Sequence, residues 1–211
     1  MPSDLQVTNI RDQANANSAI TIGSDGQITV NQNNPTLTLG SNATFPAGHI
    51  IQVKTTTLKT AVSTSSISVG GTQQITGLNT NITPKKSNSE ILISFNIHVT
   101  GPGGNKKVVG VIATRGGSSI ETATGEKSSQ YATTASNSQI ADVAYISNVA
   151  MTVKDSTLSI PSTPVEITYG VQLINLGAQT GSMHVNRTEA DDDNANNPRT
   201  ISTLTVYEIA G

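Results

Sequence analysis

The sequence of 211 residues predicts an all-β protein: an antiparallel β-sandwich or jelly roll preceded by an extended N-terminal segment of short strands. Three observations predict it. The composition disfavours helices, apolar residues alternate with a period of two, and turns bearing glycine or proline recur at short intervals. Apolar residues make up 35% of the chain and charged residues 12%, against roughly 45–50% and about 25% in ordinary soluble domains. Thr, Ser, Asn and Gly fill the difference. Ser, Thr and Asn compete for backbone hydrogen bonds, and Gly raises the entropic cost of a helix. Thr, being β-branched, suits a pleated surface.

The N-terminal segment, residues 1–50, consists of short apolar runs between turn residues. Leu5-Gln6-Val7-Thr8-Asn9-Ile10 alternates, and the polar residues 12–18 read as a loop or one helical turn. Ile20-Thr21-Ile22 leads through Asp25-Gly26 to Ile28-Thr29-Val30. Asp-Gly between alternating runs signals a hairpin, because both residues tolerate the positive φ of a tight turn. Leu37-Thr38-Leu39-Gly40-Ser41 repeats Ile20-Thr21-Ile22-Gly23-Ser24, two copies and too few for a solenoid. Such short strands bury little on their own. They either pack on the following domain or intertwine with neighbouring subunits, the second being favoured because so many short strands offer little area for packing on one chain. Leu5, Val7, Ile10, Ile20, Ile22, Ile28, Val30, Leu37 and Leu39 are therefore the candidates for contact between subunits.

Residues 51–211 read as the sandwich domain. Strands are expected over 50–57, 61–69, 73–83, 90–99, 107–115, 138–147, 149–153, 165–176, 183–186 and 200–209. The clearest is Glu90–Val99, where Ile91, Ile93, Phe95, Ile97 and Val99 share one face and His98 points away. Near the C-terminus, Ile201, Leu204, Val206 and Ile209 nearly keep one face, with a break that predicts a bulge or a strand with two faces partly buried. Gly70-Gly71, Gly101-Pro102-Gly103-Gly104, Gly116-Gly117 and Pro161–Pro164 separate the strands. Trp is absent, with four Tyr and two Phe, so the core is thin and association of subunits is expected to add buried area.

Tests for chemistry mostly fail. No cysteine is present and the formal net charge is −2, which removes thiolate zinc sites and any general field toward nucleic acid. His49, His98 and His184 lack metal-ligand spacing. The acidic run 189–194 suggests calcium, but Asn197 and Thr203 stand where an EF-hand loop begun at Asp192 needs Gly and Glu, so a solvated loop is expected. Gly125-Glu126-Lys127-Ser128 lacks the upstream glycine of a phosphate loop, Ile120 standing in its place. Gly116-Gly117-Ser118-Ser119 lacks the spacing of a nucleophile elbow. No carboxylate pair stands out for glycoside cleavage. Lys85-Lys86 and Lys106-Lys107 fall at turns without stacking aromatics, as charges that protect sheet edges do. The three Asn-X-Thr triplets at Asn42, Asn81 and Asn186 read as chance matches. The N-terminus lacks the pattern of a signal peptide, and the longest apolar stretch, 108–113, is too short to span a bilayer.

Several phrases carry a family resemblance. Leu5–Ile10 followed by Ala19–Val30 resembles the N-terminal segments of fibre-like virion proteins of tailed phages, especially phages of marine and freshwater bacteria, cyanophages included. Leu39–Val53 is similar to the linker that enters their C-terminal domain. Ile82-Thr83-Pro84 before Glu90-Ile91-Leu92, and Asn186-Arg187, Glu189–Asp193 and Arg199–Ile209 at the close, resemble that domain's turns and strands. The resemblance covers most of the chain and implies a homotrimeric structural protein of the virion, assembled in the host cytoplasm. It implies an N-terminal attachment or intertwining segment and a C-terminal jelly roll, while the failed motif tests leave no catalytic role or cofactor expected. The implied partners are other copies of the chain, other capsid, neck or tail proteins, and host surface glycans, without nucleic acid or membrane insertion. The chain is short and has no extended shaft, unlike long tail fibres. A short surface-displayed fibre or spike is the first expectation, a capsid decoration (cement) protein the alternative, and a glycan-degrading enzyme the last.

Overall fold

The computed structural model describes residues 9–11, 18–22, 28–30, 45–102, 107–120, 124–125, 133–139, 145–163, 165–191 and 197–211. These form fourteen β-strands and no helix, in two units, Met1–Thr44 and Phe45–Gly211.

In the first unit, β1 (Asn9–Arg11), β2 (Ser18–Ile22) and β3 (Ile28–Val30) make an antiparallel sheet in that order. Ile10 is opposite Ile20, Ile20 opposite Val30, and Ile22 opposite Ile28. Because strands repeat every two residues, this register puts all five positions in two rows on one face of the sheet. Leu5, Val7, Leu37 and Leu39, and the Asp25-Gly26 turn, lie outside the described residues.

The second unit is an antiparallel β-sandwich. Its first sheet contains β4 (Ile50–Leu58), β5 (Val62–Ser63), β7 (Glu90–Thr100), β11 (Ser147–Lys154), β13 (His184–Val185) and β14 (Ser202–Ile209). β14 pairs with β4 on one side and β7 on the other, and β11 pairs with the far side of β7. β13 pairs with the last residues of β7 and with β5, so β13 and β5 continue the positions of β14 and β4. The second sheet has the order β10 (Ala135–Gln139), β8 (Lys107–Arg115), β12 (Ile167–Asn175), β6 (Thr72–Ile82), with β9 (Ser118–Ser119) folded back on β8.

Local sequence accounts for much of this. All five alternating positions of β7, Ile91 to Val99, are buried. They meet Val109, Val111 and Ala113 of β8 and Tyr169, Val171 and Leu173 of β12 in one core. Gly116 and Gly117 both have positive φ, the pair a two-residue hairpin between β8 and β9 needs. Gly77, also at positive φ, sits in β6 where its pairing with β12 slips between Asn79 and Gln74.

Three expected elements differ. The strand expected over 61–69 stops after Ser63, because Gln73 Oε1 takes the Ser65 amide and hydroxyl (3.1 and 2.8 Å) and draws the chain away; only an isolated bridge from Ile67 to Gly181 follows. The strand expected over 138–147 is divided: Ala135–Gln139 pairs in the second sheet, and pairing in the first resumes at Ser147. The bulge expected near the C-terminus lies between Glu208 and Ile209, where Gln52 and Ile50 are the partners and Ile51 is left over. Leu204 and Val206 point into the core, but Ile201 is exposed, and the next inward position is the carboxylate of Glu208.

Candidate interaction surface

The two sheets differ in what covers their outer sides. On the second sheet, Gly110, Ile112 and Thr114 of β8 stand opposite Ile174, Gln172 and Gly170 of β12. These residues are outside the central core cluster yet buried, Ile112 at 5% exposure and Ile174 at 3%. A Cβ on Gly110 would meet the side chains of Ile174 and Thr133 at 2.5 and 2.6 Å. Gln172 Nε2 donates to Ser119 Oγ (2.7 Å). This outer side is closed over by the chain itself.

The outer side of the first sheet is open. Its central row runs Thr55, Thr205, Ser94, Thr152 across β4, β14, β7 and β11; the next runs Thr57, Thr203, Asn96, Ala150. Thr55 and Thr205 hydroxyls lie 3.0 Å apart, Thr152 Oγ1 donates to Ser94 Oγ (2.9 Å), and Asn148 donates to Asn96. Toward the end where the chain enters the sandwich the face turns apolar, with the row Val53, Tyr207, Leu92, Lys154 and then Ile50 opposite Ile209. Ile50 is 57% exposed and Val53 47%. Lys154 pairs with Glu90, so the one cation in these rows is neutralised. This face is uncharged in sum and rich in hydroxyls, with an aliphatic and tyrosine margin.

Buried polar groups elsewhere serve the framework. Glu208 is fully buried. Its Oε1 accepts from the Lys85 and Lys86 amides (2.7 and 3.2 Å) and Ser89 Oγ (2.6 Å), and its Oε2 accepts from Gln52 Nε2 (2.6 Å). Asp155 Oδ2 receives Arg115 Nη1 (2.6 Å) and Tyr169 Oη (2.9 Å), and Oδ1 receives Thr157 Oγ1 (3.1 Å). Arg115 and Tyr169 belong to one sheet and Asp155 follows β11 of the other, so this cluster clips the sandwich together. Burial, and then the neighbouring Asp155 carboxylate, push the Tyr169 phenol far above its ordinary range, leaving it a permanent hydrogen-bond donor.

The residues singled out for chemistry go to separate places. His49 is exposed, and His98 Nδ1 lies 2.8 Å from the Ile201 carbonyl on the outer side. His184 is buried, on β13 between β5 and β7, with Nδ1 3.0 Å from Ser63 Oγ. In the acidic run, Asp191 pairs with Arg187 (2.8 Å) and with Arg199, so arginines occupy the carboxylate a cation would need; residues 192–194 lie outside the described residues. Among the described residues, no three His, Cys, Asp or Glu side chains gather as metal ligands do. The open threonine face escaped sequence reading. Its alternation, as in Thr203-Leu204-Thr205, is visible, but only register aligns the rows.

No protein-family model matches the chain, and no curated protein matches it.

Proposed function

We propose that this chain is a self-associating structural component of a tailed-phage virion, a short fibre or spike displayed on the particle and made to touch the host surface. The observation that carries the self-association is the N-terminal register, which sets Ile10, Ile20, Ile22, Ile28 and Val30 on one face of a three-stranded sheet. Strands of three, five and three residues cannot hold an aliphatic face in water alone, and copies of the chain about a shared axis supply the cover, a homotrimer in the fibre reading. The resemblance of the N-terminal and C-terminal phrases to phage fibre proteins supplies the virion. The sandwich is read as a jelly roll, supported by its strand orders, β4-β14-β7-β11 and β6-β12-β8-β10, in which successive long strands are exchanged between sheets as paired Greek keys require.

A sandwich by itself implies no activity. What favours a structural role is that the buried carboxylates of Glu208 and Asp155 are taken up by hydrogen bonds that tie strands and turns of the sandwich together. Sedimentation of the purified chain and antibody-labelled electron microscopy of particles test the proposal together. A trimer in solution, with label at discrete projections, is the expected result. Label spread evenly over the head would replace the spike with the decoration protein, and a monomer absent from particles would overturn both.

A further inference from the structure

The two outer sides of the sandwich pose a physical contrast. One is closed over by its own chain, with Ile112 and Ile174 nearly inaccessible, whereas the other leaves Ile50 and Val53 exposed and Tyr207, Leu92 and Ile209 partly exposed beside rows of Thr, Ser and Asn. A sheet face that meets only water is ordinarily studded with charge, and edge strands carry lysines that repel other edges. Here the central rows across four strand positions hold no charged residue, and Lys154 is cancelled by Glu90.

We infer that the outer face of the first sheet is a contact surface between copies of this chain, continuing on the sandwich the association proposed for the N-terminal sheet. This inference rests on that self-association and adds where on the sandwich it occurs.

Charge selects the occupant. A nucleic acid or an anionic membrane would call for unpaired lysines and arginines, which these rows do not offer. An electroneutral face can lie against other copies of the chain with no like-charge contact to desolvate. The chemistry also suits association: charges depleted at the centre, a tyrosine and aliphatic residues at one margin, and hydroxyls able to exchange their cross-strand hydrogen bonds for bonds across an interface. The area is adequate. Four strand positions about 4.8 Å apart and roughly 30 Å long span about 600 Å². A standard interface takes about 800 Å² from each partner, a difference the side-chain relief and the flanking loops supply.

The chain has no native cysteine, so single substitutions give clean reporters. Thr57→Cys and Ala150→Cys place a thiol at exposed positions on this face, and Ser118→Cys places one on exposed β9 of the other sheet. Maleimide labelling of the full-length variants would be followed at a concentration where sedimentation shows the oligomer, and again after dilution to monomer. The face thiols are expected to react at least about tenfold more slowly than the Ser118→Cys thiol in the oligomer, and at equal rates after dilution. An oligomer whose three thiols react alike would overturn this surface while leaving the self-association standing. A chain monomeric at every concentration would overturn both. Protection seen only on intact particles would assign the face to a different virion protein and overturn the second copy as occupant.

Discussion

Ser202 Oγ donates a 2.6 Å hydrogen bond to Asn186 Oδ1 where β13 has ended and β14 is about to begin. The pair is buried and joins the ends of a 15-residue excursion that would otherwise split the strand position apart. Asn186 stands at φ 62, a left-handed conformation that asparagine tolerates better than other residues with a Cβ. Its amide nitrogen donates to the Leu58 and Thr60 carbonyls (2.8 and 3.2 Å), and its backbone N–H to His98 O (2.9 Å). One side chain thus holds the chain at the turn from β4 to β5 and at the junction of β13 and β14.

Asn186→Ala should therefore be among the most damaging single changes in the sandwich. It removes the donor to the buried Leu58 carbonyl and the part-buried Thr60 carbonyl, takes away the acceptor of the Ser202 hydroxyl, and puts an ordinary side chain at positive φ. A loss of about 2–4 kcal/mol is expected. Asn186→Gly should lose somewhat less, since glycine removes the conformational part. Urea denaturation of both variants measures the two contributions separately.

Glu208→Gln replaces one of two buried acceptor oxygens with a donor. Depending on how the amide turns, its NH₂ must face either Gln52 Nε2 or the Lys85, Lys86 and Ser89 donors. A cost of about 2–4 kcal/mol follows from opposed donors in a buried site. Amide exchange of Lys85 and Lys86 should accelerate in this variant while that of β12 tracks only the global loss.

Tyr169 makes stability sensitive to alkali. Burial and then Asp155 raise its folded pKa far above the unfolded value of 10.0, so above about pH 10 the unfolded chain releases a proton that the folded chain keeps. The contribution is whole below pH 10 and falls as pH rises beyond it, by up to about 1.4 kcal/mol per unit. Tyr169→Phe should lower stability at neutral pH by about 1–2 kcal/mol through the lost bond to Asp155. Its urea midpoint should also decline less steeply between pH 10 and 11 than that of the unmodified chain. Parallel slopes would remove Tyr169 as the cause.

Gly110→Ala tests the closed outer side of the second sheet. The added methyl meets Ile174, Thr133 and Leu176 at 2.5–3.0 Å, and overpacking of this kind costs about 1–3 kcal/mol. Gly116→Ala meets nothing within 4 Å, but its φ is 58, so its cost is limited to about 1 kcal/mol of backbone strain. Thermal melts of the two should rank Gly110→Ala lower.

By itself the sequence determined the all-β class, the inward face of β7, the glycine hairpin after β8 and the aliphatic positions of the N-terminal strands. Each of these is local, because pleat alternation and turn conformation are set by residues a few positions apart. Only the tertiary structure decided which outer side is covered, that Ile201 faces solvent while Glu208 faces inward, and that His184 is buried. Those outcomes depend on partners far along the chain: Gln52 and Glu208 are 156 residues apart, and Asn186 and Leu58 are 128. A period-two pattern says which residues share a face but carries no record of what will lie against it. Glu208 is buried as a carboxylate because the turn at 85–89 brings its donors to it.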